Sequence, residues 1–209
     1  SQINIASAQM DQFFLTHLHS DHVVGIPDLW LTGWIMGRVT PFRIWGPSGT
    51  QDMMTHLQKA FEIDVCIRRD LDEQFAPLGI QVIAQDIAQG TIYEKSGVKI
   101  IPFDVDHGHV KPAFGYRIEY QDRTVVLSGD TRYSENLIKF GHGADLLIHE
   151  VVAPQSLRNR RTTEGRDPDQ SERIIGHHTT PEEVGEIFSK IQPKLAVYSH
   201  IVGGPGTEE

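Results

Sequence analysis

A chain of 209 residues is long enough to bury a substantial core without staples, and one domain over residues 1–209 is the expected organisation. Its 28 acidic against 19 basic residues give a formal charge of −9, the wrong sign for gripping nucleic acid over a broad face. No apolar run approaches the ~18 residues of a membrane span, and the lone Cys66 excludes both an intramolecular disulfide and a thiolate zinc site.

No secretory signal is visible at Ser1, and the location stays open, with the cytoplasm favoured. Residues Ser1 to Ala8 are expected to do no more than complete an edge strand. The apolar run Phe13-Phe14-Leu15 then feeds Thr16-His17-Leu18-His19-Ser20-Asp21-His22, which has the density of a metal-ligand segment. In an extended segment His17 and His19 project to the same side and can reach one ion, while Asp21 and His22, where the chain turns, can serve a second. The alternative, a polar turn that is merely histidine-rich, suits three clustered imidazoles poorly.

Val23 to Gly37, with Pro27 early, reads as a helix whose Trp30 and Trp34 belong to the core. Arg43-Ile44-Trp45 reads as a short strand, and Gly46-Pro47-Ser48-Gly49 as a turn delivering Thr50 to the N-cap of a helix over Gln51 to Phe61. Met53, Met54, Leu57 and Phe61 form that helix's buried stripe. His56 is left outside the site for want of a nearby carboxylate or histidine. From Ile63 to Lys95 a strand-rich connection is expected.

Val98 to Val105 is a strand that ends in Asp106-His107-Gly108-His109. Tyr116 to Tyr120 and Thr124 to Ser128 follow, the latter stopping at Gly129-Asp130-Thr131. Asp145 to Ile148 ends in His149-Glu150, and Leu195 to Tyr198 in Ser199-His200. Ligands of α/β sheets gather at the carboxyl ends of strands, so five tips carrying His or Asp are expected to converge on one site. Arg158, Arg160, Arg161 and Arg166 make a basic loop able to receive an anionic substrate. Thr180-Pro181-Glu182-Glu183 is a capping box with Pro at the first helical position, followed by Val184, Ile187, Phe188 and Ile191 at helical spacing. Pro193 stops this helix, and Gly203 to Glu209 reads as loop.

His17, His19, Asp21 and His22 as HxHxDH, a later histidine, Gly129-Asp130-Thr131 and the late His200 together resemble the metallo-β-lactamase-fold hydrolases. The segments PAFGYR (Pro112 to Arg117), SGDT (Ser128 to Thr131), LLIHE (Leu146 to Glu150) and HTTPEE (His178 to Glu183) are similar to the ribonuclease Z and arylsulfatase-like branch. The resemblance implies an α/β fold, an αββα sandwich with two zinc ions at one edge. The first would be held by His17, His19 and His107, the second by Asp21, His22 and His200, with Asp130 bridging. His107 and His109 compete for one position, the strand tip favouring His107. Two departures from the family accompany this. The glycine-rich first strands that usually precede HxHxDH are expected to be lacking, and no projecting basic, Gly-rich arm for transfer RNA lies between Gly49 and Val98.

Two cations sharing a carboxylate lower the pKa of a bound water toward ~7, so hydrolysis is the expected reaction. Mixed nitrogen and oxygen donors suit zinc first, with manganese and iron as alternatives. Asp21, His149 and Glu150 are the candidate catalytic residues: His149 as general acid beside Glu150, or the two as a hydrogen-bonding pair behind the ligands. His178 would touch the substrate's anionic oxygen or cap its loop, and His177 and His142 are expected bystanders. The expected substrate is a small anionic ester or RNA, and a homodimer is among the expected assemblies. A phosphodiesterase leads. An aryl sulfatase, lactonase or other ester hydrolase comes next, then a metal-stabilised binding module; a β-lactamase and a di-iron role rank last.

Overall fold

A computed structural model describes residues 5–165 and 167–203. The chain divides into two compact units, Ser1–Ile87 and Ala88–Glu209, and each builds a sheet of its own.

In the first unit three short strands, β1 (Gln12–Phe14), β2 (Phe42–Gly46) and β3 (Val82–Asp86), pair in that order and in parallel. Parallel neighbours need crossover connections. The first supplies helices α1 (Ser20–Val23) and α2 (Ile26–Ile35). The second supplies α3 (Thr50–Ala60), α4 (Glu62–Cys66), a π-helical turn over Ile67–Leu71, and α5 (Pro77–Ile80). Trp30 and Trp34 are buried with Ile26, Phe42, Ile44 and Met54 as the sequence predicts. Each indole N–H donates to a carbonyl, Trp30 to Ile80 O at 3.0 Å and Trp34 to Ala76 O at 2.9 Å.

The expected strand-rich stretch from Ile63 to Lys95 is helical in its first half. Lys59 with Glu62 and Arg68 with Asp64 pair three and four residues apart, which supports helix more than alternation supports strand. Thr50 is the first helical residue and not the cap. Gly49, at φ 101°, takes that place, and Asp86 at the end of β3 accepts from Gly49 N at 3.0 Å and Gln51 N at 2.9 Å. His56 is exposed and does have a carboxylate near it, Asp52 at 3.6 Å one turn earlier. Ser7–Gln9 forms a 3-10 turn instead of the expected edge strand, and Ser1 to Asn4 lie outside the described residues.

The second unit holds a six-stranded sheet in sequence order: β4 (Tyr93–Lys95), β5 (Val98–Asp104), β6 (Phe114–Tyr120), β7 (Arg123–Leu127), β8 (Leu146–Val152) and β9 (Leu195–Val202). The first three pairings are antiparallel; β7 with β8 and β8 with β9 are parallel. Helices α6 (Glu135–Gly141), α7 (Pro154–Thr163), α8 (Pro168–Ile175) and α9 (Pro181–Ile191) connect these last strands. Phe103, Val126, Leu137, Leu147 and Ile187 form the core.

The capping box of α9 is present as predicted: Glu183 N donates to Thr180 Oγ1 and Thr180 N to Glu183 Oε2. The basic loop is instead helix α7, whose cations are engaged, Arg158 with Glu172 at 2.6 Å and Arg160 with Glu164 at 3.0 Å. Arg166 and Gly204 to Glu209 lie outside the described residues.

Two features set testable stability terms. A Cβ at Gly79 would lie 1.8 Å from the Arg38 carbonyl oxygen and 2.8 Å from Trp34 Cδ1. Backbone cannot yield cheaply there, so Gly79→Ala is expected to cost about 2–3 kcal/mol in chemical denaturation. At the amino ends of the parallel strands, the Asp145 carboxylate accepts from Lys194 Nζ at 2.5 Å and Thr124 N at 2.7 Å, holding its pKa below the usual carboxylate range. This stabilisation is present above the unfolded value of about 3.9 and is lost as pH falls through the lower folded value. Asp145→Asn should therefore melt earlier than the parent at neutral pH, with the two melting curves converging in acid.

Candidate metal centre

Each unit carries a donor set of its own. In the first, β1 ends at Phe14, and Leu15 N still donates to Trp45 O at 2.8 Å, so the chain remains extended into the histidines. His17 is fully buried, and its Nδ1 lies 3.0 Å from Thr16 Oγ1. His19 keeps extended dihedrals, φ −62° and ψ 144°, as the residue capping α1. Asp21 and His22 then sit on the single turn of α1, which folds the chain back upon the extended pair. The ring of His17 is 4.8 Å from that of His19 and 4.2 Å from that of His22, and His22 Nε2 is 3.5 Å from Asp21 Oδ2. The alternation and turn expected from sequence thus bring all four groups together.

In the second unit His107 is 1 % exposed and His109 is exposed, so His107 is the one placed beside Asp130. Its Nδ1 lies 2.8 Å from His177 O and its Nε2 3.9 Å from Asp130 Oδ2. A carbonyl can only accept, so the proton is on Nδ1 and the Nε2 lone pair points to Asp130. Burial pushes the ring's pKa down to about 4, against the pull of the His177 carbonyl and Asp130. It is therefore neutral, the state a metal ligand needs.

Asp130 follows β7 through Gly129, which takes φ 61°, and is 3 % exposed. His200 Nδ1 stands 3.3 Å from Asp130 Oδ1. His200 is not at a strand tip: β9 runs on to Val202. Ser199 pairs with Glu150 and Ile201 with Val151, leaving His200 as the extra residue of a bulge, at φ 44°. Bulges turn a side chain out of the alternation, and this one turns His200 toward Asp130.

His149 and Glu150 likewise lie within β8 and not at its end, although β7 stops pairing at Ile148. Adjacent strand residues face opposite sides. Glu150 Oε1 accepts from Thr179 N at 3.0 Å and Thr131 N at 3.3 Å, and its Oε2 is 3.2 Å from His178 Nδ1. Burial raises the Glu150 pKa, opposed by His178 and the two amides. His149 points the other way, fully buried against Phe188 of α9, with burial lowering its pKa to about 4. The expected His149–Glu150 pairing of side chains is thus replaced by His178–Glu150. Sequence reasoning offered His178 only as a substrate contact or a loop cap, not as the partner of Glu150. The available signal was its place two residues before the α9 cap, which fixes the approach of the loop. His177 also contributes, through its carbonyl on His107, whereas His142 is exposed and caps α6.

Donor atoms of Asp130, His178 and His200 lie within 4.8 Å of one another, as do those of His107, His177 and His178. Buried imidazoles around a carboxylate, with the His107 tautomer fixed from behind, fit a divalent cation. A family model described as the beta-lactamase superfamily domain matches residues 4–201.

The chain belongs to the β-lactamase superfamily. It has the superfamily's α/β fold with two sheets flanked by helices, and it is a metal-dependent hydrolase related to ribonuclease Z. A ribonuclease Z from Mycobacterium bovis is 31% identical over 216 residues, which cover 99% of this chain and 73% of that protein. One from Mycolicibacterium gilvum is 29% identical, covering 99% and 72%. In fold, the short form of human tRNase Z superposes with a TM-score of 0.67 at 18% identity, over 96% of this chain and 76% of that one. The metallo-beta-lactamase fold protein YhfI from Bacillus subtilis gives 0.63 at 19%, over 97% and 70%.

Bound metal should raise the stability of this superfamily member. Dialysis against a chelator is expected to lower its melting temperature, and re-addition of zinc to restore it. Metal analysis of Asp130→Ala and His107→Ala should show less bound metal than the parent, whereas His109→Ala should retain it.

Proposed function

We propose that the protein is a dinuclear zinc phosphodiesterase of the ribonuclease Z-like type, acting on RNA or a small phosphodiester. The observation that carries this reading is the buried His178–Glu150 pair beside Asp130 and His200. In this reading His17, His19 and His107 would hold one ion and Asp21, His22 and His200 the other, with Asp130 shared, and residues 1–209 would work as one hydrolase domain; the motif order shared with the superfamily supports it. The relatives' name, ribonuclease Z, supports an RNA substrate. Among the described residues no helix is long and apolar enough to cross a membrane.

When bound, the ions supply Lewis-acid activation of water and neutralise charge on the attacked phosphorus. The chain's own residues handle the leaving group. Two backbone N–H groups fix Glu150 Oε1, so Oε2 stays aimed at His178 Nδ1. That 3.2 Å approach orients the His178 ring, leaving Nε2 to hand a proton to the departing oxygen as its bond to phosphorus breaks. Asp21 remains a ligand in this scheme. His149 lies on the far side of the strand and takes no part.

Asp130→Ala is expected to abolish hydrolysis of bis(4-nitrophenyl) phosphate while leaving the circular dichroism spectrum intact. His178→Ala should lower kcat on an RNA substrate, whose departing ribose oxygen needs a proton, by about 10²–10⁴-fold with metal content retained, and affect the nitrophenyl ester far less. By contrast, His149→Leu should keep kcat within about threefold of the parent while lowering stability, since it removes the buried contact of His149 Nδ1 with the Glu150 carbonyl oxygen at 2.6 Å. Full activity on RNA in His178→Ala, or loss in a folded His149→Leu, would return the general-acid role to His149. A preference for nitrophenyl sulfate or acetate over the phosphodiester would replace the substrate class.

A further inference from the structure

A cavity of about 640 Å³ opens in the second unit beside the turn that carries His107. Asp106 joins the two: it lines the cavity, its Oδ1 accepts from Gly108 N at 3.0 Å, and its carbonyl accepts from Arg132 N at 2.7 Å. Val105, Pro112 and Ala113 supply apolar walls suited to the faces of a flat ring.

The polar groups have fixed roles. Asn136 spends its Nδ2 on Asp104 O at 2.7 Å and Gln89 Oε1 at 3.1 Å, so its amide oxygen is offered as an acceptor. Ser134 Oγ accepts from Leu137 N at 3.2 Å in capping α6, which leaves its hydroxyl proton to donate. The Asp104 and Asp106 carboxylates can only accept. Lys111 is the one cation among the residues lining the cavity.

An apolar slot edged by acceptors beside one hydroxyl donor matches a heterocycle that carries an exocyclic amine next to a ring nitrogen. We propose that this cavity holds an adenine or cytosine base of the nucleotide adjoining the scissile phosphodiester, with Lys111 against its phosphate. The proposal rests on the phosphodiesterase reading. A purely apolar ligand would strand the Asn136 oxygen and the Ser134 hydroxyl, and a bare anion would face two carboxylates. Uracil presents a carbonyl where cytosine presents its amine, so the site discriminates between them.

The test compares turnover of the 4-nitrophenyl esters of cytidine and uridine 5′-monophosphate by the zinc-loaded full chain, with bis(4-nitrophenyl) phosphate as the base-free reference. Reading a base edge through paired hydrogen bonds predicts a cytidine preference of about tenfold or more in kcat/KM. Ala113→Leu, which fills the slot, should erase that preference. Lys111→Glu, at an exposed position, should raise KM for the cytidine and uridine esters alike, about tenfold, and leave the cytidine preference in place. Equal turnover of the two esters by the parent, or a preference surviving in a folded Ala113→Leu, overturns the proposal while leaving the phosphodiesterase reading intact. Absence of any phosphodiester turnover defeats that reading. The cavity is then judged by calorimetric titration with cytidine 5′-monophosphate: binding by the parent that is lost in the variants upholds it, and no binding by the parent ends it.

Discussion

A carboxylate that is 3 % exposed, with one imidazole 3.3 Å away and another at 3.9 Å, is the constraint around which the second unit is arranged. An ionised Asp130 removed from water is costly unless positive charge stands beside it. His107 cannot supply that charge, because burial holds it neutral. Buried imidazoles grouped around this carboxylate suit a cation there, in keeping with a metal site.

Placing that carboxylate falls to the ends of strands. Gly129, at positive φ, turns the chain sharply after β7 so that Asp130 follows the sheet's edge inward. The loop before α9 then closes over it through a short series of backbone contacts. Thr179 Oγ1 donates to Thr131 O at 2.6 Å, Val152 N donates to Thr179 O at 2.9 Å, and His177 O holds His107. At the other end of the strands, Asp145 ties the starts of β7 and β9 to that of β8. Scaffold electrostatics and site electrostatics are thus kept at opposite ends of the parallel strands, and a change in one leaves the other's charges in place.

Much of this was legible in the residues. The clustering of HxHxDH was readable because extended backbone and a helical turn are both local, and the α9 cap because a capping box is complete within four residues. What escaped was non-local. That His178 and not His149 meets Glu150 depends on which face of β8 each residue takes and on where the α9 loop returns. The bulge at His200 depends on register with β8, and helix α7 was disguised as a loop by its arginines, whose partners lie on α8 and at the end of α7. Asp86 capping α3 is of the same kind, a carboxylate 37 residues from the amide it serves.

The irregularity at His200 has a second effect. Among the described residues β9 is the last strand of its sheet, and Leu195, Tyr198 and Ile201 are all exposed along it. A long apolar edge of this kind is a template on which other chains can add. The inserted residue breaks the ladder after Ser199, so an incoming strand finds two short stretches in different register and no continuous run. Holding His200 out of step therefore also gives the sheet a margin that poorly accepts an extra strand, and a mutation that straightened β9 would expose the protein to self-association as well as turn His200 away from Asp130.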